Sequence, residues 1–228
     1  MKKPLWVVCI VLLVCTAYVA GSPRAQFLLG GLLVNVGYRF QDHLHAYDFE
    51  HSSDISSQQV WDEFREQNEL SARMRKHFPR STEHPVVALL LCMDARIDSS
   101  ELAGDTRKYY YIVRTAGSVL GDTEQEMLEL AVLNGVRLVV LTRHTDCAAE
   151  ALARDPSRRN TFPALTAAVV ERERRVAQFL SRPVIAERIG DGRLLVKRMV
   201  IDTNTDHLIS EEPRDGATLG DLPSNISP

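Results

Sequence analysis

Cys92, Asp94 and Arg96 close the run Val86–Arg96 (VVALLLCMDAR), and His144 and Cys147 close a second run, Leu138–Cys147 (LVVLTRHTDC). Two thiolates and an imidazole are ligands that zinc prefers, and three protein ligands leave a fourth position for water. Zinc lowers the pKa of such a water to around 7, which supplies hydroxide at neutral pH and suits the hydration of a small electrophile. If the extended backbone persists, its period of two sends Cys92, Asp94 and Arg96 to the same side. Asp94 and Arg96 then pair beside the metal. The carboxylate can accept a hydrogen bond from the hydroxide, and the arginine keeps that carboxylate in place and ionised. Two other uses of these residues stay open. One is a Cys92–Cys147 disulfide in an oxidising compartment. The other is a purely structural zinc site. The disulfide leaves Asp94, Arg96 and His144 unexplained, and the structural site shows only three strong ligands.

The elements that must hold these residues follow from hydrophobic patterning. Both runs are short, continuous and rich in Val and Leu, as strands buried on both faces of a parallel sheet are. Ligands of such sheets bind beyond the carboxyl ends of the strands, where these residues fall. Tyr109–Arg114 (YYYIVR) has strand composition and ends in Thr115-Ala116-Gly117-Ser118, where the glycine can bring backbone close to a ligand. Asp122 or Thr123 is expected to cap a helix through Asn134, with Gly135 as its stop. Ile97 to Asp105 reads as a loop over the site, and Arg154–Asn160 as a charged loop. Thr161 and Pro163 open a helix expected to run to about Leu180, whose Glu171–Arg175 cluster reads as a solvated face without a function. Pro183 ends that element. Asp191-Gly192 is a hairpin signal before a strand, Leu194–Ile201.

The chain has 228 residues, 45% hydrophobic and 25% charged, with a net charge of −3. That accommodates one domain with an appendage. No basic stripe points to a nucleic-acid partner. Of four cysteines, Cys9 and Cys15 lie in the N-terminal apolar segment, too few elsewhere for a disulfide scaffold. Lys2 and Lys3 precede the run Leu5–Ala20, whose roughly 16 residues fall just short of the 17–25 of a spanning helix. With the second run Phe27–Val36, this reads as a signal anchor, a cleaved signal peptide or a buried helix. The basic residues favour keeping that end in the cytoplasm and sending the rest across. His43, His45 and His51 lie in a polar stretch that reads as linker or metal tract. Ser56 and Gln59 form a capping box for a helix to Phe78, with Val60, Phe64, Leu70 and Met74 at near-helical spacing.

Cys92–Arg96 (CMDAR) and His144–Cys147 (HTDC) resemble the paired signatures C-x-D-x-R and H-x-x-C of the β-class carbonic anhydrases. Val113–Gly117 (VRTAG) is similar to that family's VRNAG, and Gly192–Asp202 to its last core strand. The resemblance covers roughly Ser56 to Glu211. It implies an α/β fold: a central, mostly parallel sheet of four strands plus an antiparallel edge strand, flanked by helices. It implies Zn2+ held by Cys92, His144 and Cys147, an Asp94–Arg96 catalytic dyad, and reversible hydration of CO2 to bicarbonate and a proton. It also implies a homodimer or higher homo-oligomer. The chain departs from the family pattern at Arg143 and Ala148, where glycine is usual, and at Thr115 and Ser118, where asparagine is common. Arg143 could crowd the metal loop or reach an anion, and Ala148 requires backbone compatible with a Cβ. The alternatives are a carbon disulfide or carbonyl sulfide hydrolase of the same fold, or a non-catalytic bicarbonate-binding or assembly homologue. The expected organisation is an N-terminal anchor or signal over 1–38, a polar linker over 39–55, the zinc domain over 56–212 and a flexible tail over 213–228. The catalytic domain is expected outside the cytoplasm (periplasmic or lumenal), held at a membrane through the N-terminal segment, or secreted.

Overall fold

A computed structural model describes residues 5–41, 56–78 and 84–211. The polar histidine tract and the C-terminal tail lie outside the described residues. The chain divides into two compact units, Met1–Pro79 and Arg80–Pro228.

In the first unit, α1 (Leu5–Gly21) and α2 (Pro23–Gln41) meet at a bend of 103°. The break has a local cause: the Ser22 hydroxyl accepts from the Ala25 N–H (3.3 Å), and Pro23 takes the first helical position, which needs no N–H. No single described helix is long and apolar enough to cross a membrane, though the bent pair qualifies by length and composition. Helix α3 (Ser57–Arg75) starts at the expected capping box, with the Ser56 hydroxyl accepting from Gln59 N and the Gln59 side chain accepting from Ser56 N. This helix falls within the first unit. Trp61 and Phe64 stack on its surface with ring centroids 5.8 Å apart.

The second unit is built on a five-stranded sheet in the order β2-β1-β3-β4-β5, formed by β1 (Val87–Cys92), β2 (Tyr110–Thr115), β3 (Leu138–His144), β4 (Leu195–Asp202) and β5 (His207–Ser210). The first four are parallel and β5 is antiparallel to β4. Strand β1 lies between β2 and β3, so both its edges are paired and its apolar side chains are buried on both faces. On one face Ala88, Leu90, Val139 and Leu141 pack with Leu128 and Val132 of α5 (Asp122–Leu133), Phe179 of α8 (Arg172–Leu180) and Ile185 of α9 (Pro183–Gly190). On the other, Leu89, Leu91, Val140 and Ile201 pack with Ile97 and with Ala149 of α6 (Ala148–Arg154), flanked by Leu165 and Val169 of α7 (Pro163–Val170).

Several local expectations are corrected. The N-cap of α5 is Gly121, with Asp122 and Glu124 inside the first turn, where carboxylates meet the positive end of the helix dipole. Gly135 terminates that helix as expected, at φ 110°. The loop over the site contains a short helix, α4 (Ser99–Ala103), because the Asp98 carboxylate accepts from the Ser100 N–H (2.6 Å). The long helix expected from Thr161 to Leu180 is two helices, α7 and α8, broken at Glu171 (φ −83°, ψ 0°). Pro183 starts α9 as well as ending α8, and Asp191-Gly192 links α9 to β4 rather than turning a hairpin. The hairpin lies later, at Thr203–Asp206, where Asp206 takes φ 54°.

Phe179 is fully buried at the centre of the first layer. Phe179→Ala is expected to lower stability by about 3–5 kcal/mol. The measurement is urea unfolding, where the midpoint should fall at unchanged slope; an unchanged midpoint would contradict this packing.

Candidate metal centre

The centre forms where β1 and β3 end together. Cys92 is the last residue of β1 and His144 the last of β3, and Cys147 follows as the N-cap of α6. The turn between the last two residues needs a left-handed conformation at Asp146 (φ 55°), which a short polar side chain tolerates. Backbone pairing fixes this turn: the Thr145 N–H donates to Ile201 O (3.0 Å), and the Thr145 hydroxyl meets the Thr203 hydroxyl (2.8 Å). The ligand atoms of Cys92, His144 and Cys147 all lie within 4.8 Å of one another, and all three residues are buried. Both thiols are free, so the structure does not adopt the disulfide alternative.

The imidazole is set for a cation. His144 Nδ1 lies 2.8 Å from the Thr145 carbonyl oxygen, which can only accept, so Nδ1 carries the proton and Nε2 the lone pair. Nε2 is buried and has no hydrogen-bond partner. An orphaned imidazole nitrogen facing two thiols is the donor set of a zinc site with an open fourth position.

Charge is concentrated on the first cysteine. The Cys92 thiol is held down to about 3, chiefly by the hydrogen bond with Cys147 and, against the cost of burial, by His144 and the backbone N–H groups of Asp94 and Gly117. Cys147 is pushed up by the same contact and by burial. Burial disfavours the charged form of His144, but the neighbouring Cys92 sulfur outweighs that and raises its pKa. The pocket thus favours negative charge on sulfur with a positive partner beside it.

Asp94 and Arg96 stand next to this group but do not arrive there by strand alternation. β1 stops at Cys92, and the chain turns: the Arg96 backbone N–H donates to Asp94 Oδ1 (3.0 Å). The turn folds the guanidinium back onto the carboxylate in a two-pronged pair, Nε to Oδ1 at 3.0 Å and Nη2 to Oδ2 at 2.9 Å. These hydrogen bonds hold the Asp94 carboxyl far below the usual carboxylate range. Arg96 Nη2 also donates to the Asp146 carbonyl (3.2 Å), tying the dyad to the metal loop. The three expected ligand residues thus come together, and the two residues of the expected dyad pair with each other and tie to Asp146 in the loop between His144 and Cys147.

The departures from the family pattern are accommodated. Arg143 neither crowds the loop nor reaches the metal pocket. It precedes His144 in β3, so its side chain leaves from the opposite face and pairs with Glu211 at 2.7 Å. Ala148 is the first residue of α6, where helical backbone accepts a Cβ. Thr115 donates to Val119 O (2.9 Å), and Ser118 is buried at φ 52°.

Residues the sequence did not single out complete the frame. Arg114 donates to the Ile97 carbonyl (2.7 Å) and to that of Cys92 (3.4 Å). Arg172, which the sequence placed on a solvated face, is buried, because the break at Glu171 turns it inward to the Gly117 carbonyl and Glu150.

No family model matches the chain. Among curated proteins it is 36% identical over 62 residues to β-carbonic anhydrase 1 of Mycobacterium bovis and of Mycobacterium tuberculosis. That match covers 27% of this chain and 38% of the relative's length. Among solved structures, the carbonic anhydrase of Streptococcus mutans superposes with a TM-score of 0.50 at 19% identity, over 65% of this chain and 97% of that one. The β-carbonic anhydrase CafA of Aspergillus fumigatus gives 0.50 at 18% identity, over 67% and 91%. The fold is that of the β-carbonic anhydrases. Within it, the Cys92–His144–Cys147 group of this chain can bind a zinc ion at the position where the parallel strands end.

Proposed function

We propose that the chain is a β-class carbonic anhydrase that reversibly hydrates CO2 to bicarbonate and a proton with one zinc held by Cys92, His144 and Cys147. The observation that carries this reading is the meeting of those ligand atoms, within 4.8 Å, beside a preformed Asp94–Arg96 pair. A zinc ion there supplies an acidified water and thus a nucleophile at neutral pH.

The rest of the work falls to the chain. His144 presents Nε2 in a fixed tautomer because Nδ1 is engaged by the Thr145 carbonyl. Asp94, kept ionised by Arg96, offers a carboxylate oxygen that would accept a hydrogen bond from the nucleophile's O–H and so aim its lone pair at the carbon of CO2. Arg96 is anchored by the Asp146 carbonyl, so the dyad cannot drift from the loop that carries Cys147. Cys92 and Cys147 belong to the same buried apolar cluster as Leu89, Leu91, Ile97 and Ile201.

The N-terminal helices are read as a membrane attachment that places the catalytic domain outside the cytoplasm. In support, Trp6, Leu12, Leu13 and Tyr18 of α1 and Phe27, Leu28, Leu32 and Leu33 of α2 are all exposed. A homodimer or larger assembly is supported by Trp61, Phe64, Leu70 and Met74 of α3, which stay exposed in the single chain.

Stopped-flow measurement on the zinc-loaded full chain should show CO2 hydration that disappears in Cys147→Ser and falls roughly 10²-fold or more in Asp94→Asn. A folded, zinc-loaded chain without turnover would overturn the enzyme reading. Alkaline carbonate extraction should leave the full chain with the membranes and release a chain lacking residues 1–38. Light scattering of the detergent-solubilised protein should give at least two chains per particle. Full release of the intact chain, or a monomer, would remove the corresponding part of the proposal.

A further inference from the structure

Arg172 is a charged side chain with only 7% of its surface exposed. One guanidinium nitrogen, Nη1, reaches Glu150 Oε1 at 2.6 Å, and the other, Nη2, reaches the Gly117 carbonyl at 2.6 Å. Its Nε is buried without a partner. A buried ion pair is a weak source of stability, since desolvation offsets most of its attraction. Its geometric consequence is more specific.

Both partners belong to backbone segments that face the metal-ligand sulfurs. The Gly117 N–H faces the Cys92 sulfur. The Glu150 and Ala149 N–H groups, in the first turn of α6, face Cys147. Gly117 is held at φ 65°, and a Cβ added there would stand 3.3 Å from Arg172 Nη2, 3.2 Å from the Ala149 Cβ and 3.3 Å from Val169 Cγ2. The loop after β2 is therefore pressed against both α6 and the guanidinium. Exposed Arg154 shares Glu150, bonding to Oε2 at 3.0 Å, so both carboxylate oxygens are engaged and the side chain cannot swing.

We propose that Arg172 is a positioning residue for the metal centre: by bridging Glu150 and the Gly117 carbonyl it fixes the two backbone segments whose N–H groups orient Cys92 and Cys147. This rests on the zinc reading above. Groups that orient ligands from behind commonly govern metal affinity as well as activity. The planar two-pronged fork matters here, because one side chain must serve a carboxylate and a carbonyl at once, which an ammonium does less well.

The test is metal binding by the full chain, read as zinc affinity by chelator competition and as the sulfur-to-cobalt charge-transfer band of the cobalt(II)-loaded protein. Arg172→Met is expected to weaken zinc binding by roughly 10–100-fold and to shift the cobalt band. Glu150→Gln should act in the same direction, and Arg172→Lys should restore part of the affinity. Arg182→Met, which breaks the half-buried Arg182–Glu129 pair, serves as the comparison. It should lower the unfolding midpoint and leave affinity and spectrum as in the wild type. If Arg172→Met does not fold, Glu150→Gln decides the matter by the same readouts. Wild-type affinity and spectrum in a folded Arg172→Met, or in Glu150→Gln where it must decide, would overturn the proposal while leaving the zinc reading standing. A wild-type chain that binds no zinc would overturn the zinc reading itself.

Discussion

Two thiols and an imidazole are buried together with ligand atoms within 4.8 Å, a donor set that suits a metal ion between them. In a low-dielectric pocket a thiolate is strongly disfavoured unless a cation or hydrogen bonds compensate it. The protein supplies the hydrogen bonds from backbone and leaves His144 Nε2 without a partner, which is the arrangement a divalent metal completes. The rest of the second unit can be understood as what holds those donors in register. Strand β1 is paired on both edges and buried on both faces, so Cys92 is positioned by the most constrained element of the sheet. His144 is paired with Ile201 across β3 and β4, and the Thr145–Thr203 contact extends that pairing into the turn that carries Cys147.

Electrostatics around the centre is divided between two arginines with opposite settings. Arg96 is half-exposed, binds the Asp94 carboxylate and reaches the Asp146 carbonyl, so it acts at the mouth of the site. Arg172 is buried, binds Glu150 and the Gly117 carbonyl, and acts from behind. A third, Arg143, sits beside His144 in sequence yet faces the other side of the sheet, where Glu211 and Arg198 complete an ion-pair cluster. The strand period separates these roles between adjacent residues.

Much of this frame is legible in the sequence, for physical reasons. Two short, Val- and Leu-rich apolar runs that stop at polar residues fit strands buried on both faces, and the residues at their ends then fall at the ligand-binding edge of a parallel sheet. Cys92, His144 and Cys147 follow from that placement. The meeting of Asp94 and Arg96 was legible, but its cause was not: an Asp-centred turn brings them together, and strand alternation does not. The family resemblance implies the antiparallel edge strand, but the residues do not locate it, because β5 has four residues and its hairpin uses Asp206 at positive φ where a glycine would have signalled the turn. Arg172 was illegible because it stands in a run of charges, RERR, and its burial depends on Gly117 and Glu150, which are distant in sequence. Periodicity reports the neighbours along a helix and not the partners across a fold.

The central claim is a single open zinc site with two sulfur ligands and one imidazole. Zinc-edge X-ray absorption on the loaded full chain tests it most directly, because it counts ligands by element and distance. The account predicts two sulfurs at about 2.3 Å and two nitrogen or oxygen ligands at about 2.0–2.1 Å, with one sulfur lost in Cys147→Ser. A shell with any other sulfur count, or one unchanged by Cys147→Ser, would contradict it.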